Sequence, residues 1–272
     1  MYKLIACDVD GTLFDGNFIL SDIDKTAIGK AQTKGVKFTL CSGRSYVSLK
    51  AFAEELGINP INNYIIGFNG GVVYDMQNNK VVRKVDLGVD IAAEAAKIFK
   101  DMAVNAEIVV YLDGENVLYE KGASYAPAYQ ATSRVEWKDT KDIIADIDCA
   151  EHVAKIIFLG DNEDLRQLKK ELESKLGGKA CVVFSSEYLL EVISPECSKA
   201  DGVRWLCETH KIDISEVIAI GDNYNDISMI AEVGLGAAVA NGVKPLKEIA
   251  DYVTVNNCTN GAVSEVIERF VL

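Results

Sequence analysis

The chain has 272 residues, of which 49% are hydrophobic and 25% are charged, so a disulfide miniprotein and wholesale disorder are excluded. Its length suits one elaborated domain or two ordinary ones. With 28 Lys and Arg against 41 Asp and Glu, the net charge is −13, which disfavours nucleic acid and membrane surfaces as partners. We therefore expect a small-molecule partner and a monomer or small homo-oligomer.

The seven cysteines are scattered along the chain and include no Cys-x-x-Cys pair. Their odd number and wide spacing disfavour a disulfide framework and a thiolate zinc site. No apolar run approaches the roughly 18 residues that a membrane span needs. We therefore expect a cytoplasmic protein without a secretory or transmembrane segment.

The first 70 residues alternate short apolar runs with segments of helical period. The predicted elements are strands at 3–7, 36–41 and 64–68 and helices at 21–34 and 45–56. This alternation predicts right-handed crossovers and a parallel sheet.

The pattern changes after residue 71, where segments 72–74 and 80–85 flank a polar turn and predict a hairpin. Between residues 88 and 187, strands follow one another repeatedly, which predicts an antiparallel sheet with a few helices. The first pattern returns at Ser194, with predicted helices at 199–210, 226–232 and 262–270 and a strand at 217–220. The simplest account is an α/β domain interrupted by an inserted α+β domain.

Two aspartates, Asp8 and Asp10, directly follow the first predicted strand. Ligands of open α/β sheets bind beyond the carboxyl ends of strands, and residues two apart on an extended chain point to the same side. Carboxylates this close repel each other unless a cation intervenes, and oxygen ligands suit Mg²⁺. The alternative is an acidic turn that caps the strand. Gly11, Thr12 and the position at the strand end favour the metal site.

A second acidic cluster, from Asp222 to Asp226, follows the predicted strand at 217–220. If this strand neighbours the first, Asp222 reaches the same metal from the other side. Alternatively, Asn223 or Asn225 caps the next helix and Asp226 lies in its first turn. The residues alone leave both interpretations open.

Two further predicted helix starts carry groups suited to phosphate oxygens. Ser42, Gly43 and Arg44 lie between a strand and a helix, where backbone N–H groups bind anions. Lys199 lies in the first turn of its helix, where its charge opposes the helix dipole. Taken singly, a plain N-cap at Ser42 and a surface lysine at Lys199 explain these residues equally well.

Together these segments resemble the haloacid dehalogenase (HAD) superfamily, and closely its Cof-type phosphatases with a large inserted cap. The matching segments are 8–13, 42–44, 69–70, 199–202, 221–229, 239–241 and 250–254. They span the whole core in the family's order, whereas the cap carries no matching motif. The resemblance implies a Rossmann-like parallel-sheet core at residues 1–85 and 190–272. It also implies an α+β cap at residues 86–189 that selects the substrate.

The resemblance also implies roles for single residues. Asp8 would be the nucleophile, and Asp10 would protonate the leaving oxygen and then activate water. Asp8, the Asp10 carbonyl and Asp222 would hold Mg²⁺. The residues expected to bind the phosphoryl group are Ser42, Gly43, Lys199 and Asn225, and those expected to support them are Thr12, Arg44 and Asp226.

The expected function is that of a Mg²⁺-dependent phosphatase, which hydrolyses small phosphomonoesters through an aspartyl-phosphate. A small phosphorylated metabolite is the expected partner, with sugar phosphates favoured. The alternatives are a phosphomutase of the same superfamily and a non-catalytic regulatory module that accepts a phosphoryl group on Asp8. Five cap aromatics either stack on the substrate or, as we favour, pack within the protein: Tyr111, Tyr119, Tyr125, Tyr129 and Trp137.

Overall fold

The structure is a computed structural model that describes residues 1–14, 20–120 and 125–272. Its strands are β1 (Leu4–Cys7), β2 (Lys37–Leu40), β3 (Tyr64–Gly67), β4 (Val72–Asp75), β5 (Lys80–Lys84), β6 (Ala106–Tyr111), β7 (Val117–Glu120), β8 (Trp137–Thr140), β9 (Lys155–Gly160), β10 (Cys181–Ser186), β11 (Leu189–Ile193), β12 (Val217–Gly221), β13 (Leu235–Ala238) and β14 (Tyr252–Val253). Its helices are α1 (Asp22–Thr33), α2 (Tyr46–Leu56), α3 (Val89–Asp101), α4 (Ala126–Ser133), α5 (Ile143–Asp148), α6 (Asn162–Leu176), α7 (Lys199–His210), α8 (Ile227–Glu232), α9 (Lys244–Ile249) and α10 (Ala262–Phe270).

The chain divides into two compact units, and the first comprises Met1–Arg83 with Ser198–Leu272. Its main sheet has the strand order β14-β13-β12-β1-β2, and every pairing is parallel. Strand β1 lies between β12 and β2 and is buried on both faces: Ile5 and Cys7 belong to one apolar cluster, Leu4 and Ala6 to another. This burial explains why the strand is a continuous apolar run. The predicted parallel-sheet core is confirmed.

Strand β3 departs from the simple parallel pattern that the sequence predicts. It runs antiparallel to β4 in a three-stranded sheet of order β3-β4-β5. The chain reverses direction in a short 3-10 turn at Phe68–Gly70. A single parallel bridge between Cys41 and Ile66 keeps the end of β3 beside the end of β2.

The second unit, Lys84–Cys197, contains a six-stranded sheet of order β10-β11-β9-β6-β7-β8. Neighbours are antiparallel except β7 and β8, which are parallel and flank α4. The sheet shares an apolar core with α3, α5 and α6. The sequence-based boundary between residues 189 and 190 lies inside β11, whose pairing with β9 and β10 assigns the whole strand to this unit.

Two further properties concern the cysteines and the length of the helices. None of the seven cysteines, all of which lie in the described part of the chain, forms a disulfide, and Cys7 and Cys41 are buried. Among the described residues, no helix is both long enough and apolar enough to cross a bilayer.

A buried aspartate of α1 supplies the cap that α10 lacks. The N-cap residue of α10 is Gly261, which has no side chain to accept from the first-turn N–H groups. Asp24 accepts instead: its Oδ1 lies 2.6 Å from the backbone nitrogen of Ser264. Its Oδ2 is buried with no partner among the described residues. Burial raises the pKa of Asp24 to about 6, although the N–H groups of Ser264 and Val263 oppose this shift.

We expect Asp24 to make the protein more stable at pH 5 than at pH 7. Its folded-state pKa of about 6 exceeds the ordinary value of 3.8, so the folded state binds the proton more tightly. This contribution is complete below pH 3.8 and is lost as the pH rises through 6. Linkage gives a difference of about 1 kcal/mol between pH 5 and pH 7.

Urea unfolding at both pH values measures this contribution. The wild type gains stability on going from pH 7 to pH 5, and in Asp24→Asn this gain should be smaller by about 1 kcal/mol. Asp22→Asn, an exposed change in the same helical turn, should behave as the wild type. Equal pH dependence in the wild type and Asp24→Asn would contradict the assignment.

Candidate active site

Asp8 directly follows the carboxyl end of β1 in the parallel sheet. Its backbone nitrogen donates to the Ile220 oxygen at 2.9 Å, which extends the pairing of β1 with β12 by one residue. The side chain is buried. Gly11 then turns the chain with a φ of +84°, and a Cβ at this position would lie 2.4 Å from Asp222 Oδ2. The turn therefore brings the β1 loop against Asp222, and only glycine fits there.

Three carboxylates converge at this edge of the sheet. Asp8, Asp222 and Asp226 each offer an oxygen, and the three oxygens lie within 4.8 Å of one another. Asp222 also accepts a 3.3 Å hydrogen bond from Thr12 Oγ1. The expected approach of Asp222 to Asp8 is therefore present, because β1 and β12 are neighbours in the sheet.

Lys199 lies between two of these carboxylates. Its Nζ is 2.5 Å from Asp8 Oδ1 and 2.5 Å from Asp226 Oδ1, and the side chain is 0% exposed. The lysine is therefore not the solvated surface residue that the sequence left open. A positive charge in the first turn of α7 interacts unfavourably with the helix dipole, but here two buried ion pairs stabilise it.

Asp226 organises the loop that follows β12. Its Oδ2 accepts from the backbone nitrogens of Asp222 and Asn223, each at 2.9 Å. Asn223 in turn caps the short 3-10 helix at Tyr224–Asp226, because its side chain accepts from the Tyr224 nitrogen. Asn223 is thus the cap residue, and Asp226 belongs to the charged cluster.

The three carboxylates Asp8, Asp222 and Asp226 carry more negative charge than Lys199 balances. Burial raises the pKa of Asp8 to about 7; Asp226 and Asp10 add to the shift, and Lys199 opposes it. Burial, together with Asp8 and Asp226, raises the pKa of Asp222 to about 9. Burial acts to lower the pKa of Lys199, but Asp226 and Asp8 outweigh it and raise that pKa well above its usual range. A bound cation would relieve this repulsion.

The loop after β2 lies beside the end of β3. The Ser42 nitrogen donates to the Ile66 oxygen at 3.0 Å, and Ser42 is buried. The N-cap of α2 is Ser45, whose side chain accepts from the Ser48 nitrogen. Ser42 is therefore not the helix cap; its Oγ accepts instead from the Arg44 backbone nitrogen at 3.3 Å. Gly43 lies between them in the same loop.

Asp10 pairs with Arg44 through both carboxylate oxygens. Arg44 Nε lies 2.6 Å from Asp10 Oδ2, and Arg44 Nη2 lies 2.8 Å from Asp10 Oδ1. The Asp10 side chain is 44% exposed, whereas that of Arg44 is buried. The Asp10 side chain is thus held by Arg44, and it is Asp226 that joins Asp8 and Asp222.

Two asparagines that are not among the predicted site residues contact the candidate site. Asn69 Oδ1 accepts from Asn225 Nδ2 at 3.0 Å, and Asn241 Nδ2 donates to the Gly11 oxygen at 2.7 Å. Their contacts with residues more than 150 positions away leave no signal in local periodicity. The resemblance of segments 69–70 and 239–241 to the family was the available signal.

Three of the five cap aromatics contact one another. Tyr119 and Tyr129 each pack against Trp137, with ring centroids 5.6 and 5.9 Å apart. Tyr111, Tyr119 and Trp137 are buried. These contacts agree with the favoured packing role.

A parallel α/β sheet in which the Asp8 loop after β1 lies beside the acidic loop after β12 defines a hydrolase core of the HAD type. The chain matches the model of the haloacid dehalogenase-like hydrolases over residues 5–267. It belongs to this family and is a hydrolase, as its motifs predict.

Known proteins resemble the chain over nearly its whole length. It is 27% identical to HMP-PP phosphatase of Klebsiella pneumoniae (strain 342), covering 100% of this chain and 96% of that protein. It is 28% identical to 5-amino-6-(5-phospho-D-ribitylamino)uracil phosphatase YwtE of Bacillus subtilis (strain 168), covering 95% of each. A haloacid dehalogenase-like hydrolase from Bacteroides thetaiotaomicron superposes with a TM-score of 0.88 and 31% identity, covering 99% of both chains.

Proposed function

We propose that this protein is a Mg²⁺-dependent phosphatase that hydrolyses small phosphomonoesters through an aspartyl-phosphate on Asp8. The observation that carries the proposal is the convergence of Asp8, Asp222 and Asp226, of which Asp8 and Asp226 pair with the buried Lys199. A carboxylate nucleophile, a metal-binding acidic set and a fixed cation are the groups that phosphoryl transfer requires.

The chemistry of the acidic residues fits Mg²⁺. Carboxylate oxygens are its preferred protein ligands, and Asp8 and Asp222 retain repulsion that Lys199 does not offset. Asp8, Asp222 and the Asp10 backbone carbonyl would hold the ion. Bound there, Mg²⁺ would neutralise charge on the phosphoryl oxygens.

Three residues of the chain would have separate roles in phosphoryl transfer. Lys199 fixes Asp8 Oδ1 by a 2.5 Å ion pair, so the carboxylate is oriented before substrate binds. One Asp8 oxygen attacks phosphorus while the bond to the leaving oxygen breaks, and Asp10 gives that oxygen a proton. For this proton transfer, Asp10 breaks at least one of its two hydrogen bonds with Arg44. Asp10 then takes a proton from the water that attacks phosphorus, the bond between phosphorus and the Asp8 oxygen breaks, and inorganic phosphate leaves.

The phosphoryl group would be bound by Ser42, the Gly43 backbone, Lys199 and Asn225. A site that recognises only this group leaves the rest of the substrate to the cap, residues 86–189 in the sequence-based division. The names of two relatives describe small phosphorylated compounds, which supports a small phosphorylated metabolite, and among these we favour sugar phosphates. The odd number and wide spacing of the cysteines support a reducing compartment such as the cytoplasm.

Phosphate release from a panel of sugar, nucleotide and cofactor monophosphates tests the proposal. With Mg²⁺ we expect release from at least one substrate, and after chelation with EDTA we expect release to fall to the level of a variant lacking the Asp8 carboxylate. Isomerisation without phosphate release, on addition of a trace of bisphosphorylated sugar, would instead support the phosphomutase. A phosphorylated Asp8 that persists for hours would support the regulatory module.

A further inference from the structure

The turn after β3, Phe68–Gly70, has an unusual backbone. Three consecutive residues have positive φ values: 50° at Phe68, 53° at Asn69 and 95° at Gly70. Glycine adopts this region freely, but a bulky residue such as Phe68 does so rarely and at a cost in free energy. Strained backbone of this kind concentrates at functional sites, where neighbouring contacts hold it in place.

The turn contacts two segments of the candidate site. The Phe68 nitrogen donates to the Arg44 oxygen and the Asn69 nitrogen to the Ser42 oxygen, each at 3.0 Å. Gly70 lies against the start of α7, because a Cβ there would be 1.9 Å from the Ser198 oxygen. The turn is therefore fixed to the Ser42 loop and to the residue that precedes Lys199.

The Asn69 side chain reaches the third segment. Its Oδ1 accepts from Asn225 Nδ2 at 3.0 Å, and the residue is only 2% exposed. Its own Nδ2 is buried with no hydrogen-bond partner among the described residues. A buried amide with one orphaned end destabilises the fold, so folding alone does not account for asparagine at this position.

We propose that Asn69 is a positioning residue for phosphoryl binding and acts through Asn225; this inference rests on the proposed function. The bond to Asn69 Oδ1 occupies one Nδ2 hydrogen of Asn225 and sets the plane of that amide. The second Nδ2 hydrogen is then directed before the phosphoryl group arrives. Donors oriented in advance need no reorganisation when charge develops on the phosphoryl oxygens.

Asn69→Gly tests the role without adding backbone strain, since glycine tolerates the left-handed conformation. We expect kcat/KM for the best substrate to fall about ten-fold. The Kd of inorganic phosphate, measured by calorimetry with Mg²⁺ present, should rise by a similar factor. Asn62→Gly is the matched control: Asn62 also has a φ of 50° but is exposed, and both quantities should stay within about two-fold of wild type.

A double-mutant cycle separates positioning from an independent effect on the structure. If Asn69 acts through Asn225, Asn69→Gly combined with Asn225→Ala should lose no more phosphate affinity than Asn225→Ala alone. Losses that multiply, or unchanged kcat/KM and phosphate Kd in Asn69→Gly, would overturn the inference. A wild-type protein that neither releases nor binds phosphate would refute the proposed function, and with it this role, before any variant is compared.

Discussion

Replacing Asp8 with Asn should lower kcat by at least about a thousand-fold while the protein stays folded. An amide oxygen is a poor nucleophile, so the aspartyl-phosphate cannot form. The fold should tolerate the change because the substitution is nearly isosteric and removes a charge from an acidic cluster. Lys199 keeps its ion pair with Asp226 in this variant. Single-turnover phosphate release with Mg²⁺ measures the loss.

The same variant should lose the covalent intermediate. Acid quenching of wild-type protein during turnover should trap phosphate on the chain, and Asp8→Asn should trap none. Asp22→Asn, which changes an exposed aspartate of α1, serves as the matched control and should retain wild-type rates. Activity of Asp8→Asn above about a thousandth of wild type would show that Asp8 is not the nucleophile.

Replacing Lys199 with Met should damage stability and activity together. The change leaves Asp8 and Asp226 buried without the cation that now lies 2.5 Å from both. Breaking one side of a buried ion pair costs about 3–5 kcal/mol. Loss of the charge from the phosphoryl site should also lower kcat/KM at least about 100-fold. Urea unfolding and steady-state kinetics measure the two effects separately.

A compensated variant distinguishes these two effects of Lys199. In Lys199→Met combined with Asp226→Asn, one of the unpaired charges is gone, so we expect stability to recover by about 1–3 kcal/mol relative to Lys199→Met. Activity should not recover, since the phosphoryl group still lacks its cation. Lys170→Met, an exposed change on α6, should leave both properties at wild-type values. Recovery of activity in the compensated variant would limit Lys199 to a structural role.

Local patterns were sufficient to predict the long elements. The predicted bounds 199–210 and 262–270 coincide with α7 and α10, because helical periodicity and end signals are local properties. Short elements such as α9, β13 and β14 were missed. The β13 sequence, Leu-Gly-Ala-Ala, lacks β-branched residues, so its place beside β12 depends on tertiary pairing and not on propensity.

Local sequence patterns do not predict which residues pair with the site residues. Spacing brings Asp8 and Asp10 near each other, yet Asp10 pairs with Arg44 and Asp8 with Lys199. The serine that caps α2 is Ser45, which has an extended backbone and accepts from the Ser48 nitrogen, whereas Ser42 accepts from the Arg44 nitrogen. Each of these outcomes depends on which loops the sheet order places side by side.

The sequence by itself determined the family, the hydrolase class, the parallel core and the set of polar residues at the strand ends. Those properties reside in motifs a few residues long and in periodicity. Only the tertiary structure decided that Asp226 joins Asp8 and Asp222, that Lys199 is fully buried between two carboxylates, and that Asn69 contacts Asn225. The physical reason is that burial and charge pairing join distant segments: Asp8 and Lys199 are 191 residues apart in the chain. Such segments are neighbours only after β1, β2 and β12 have paired.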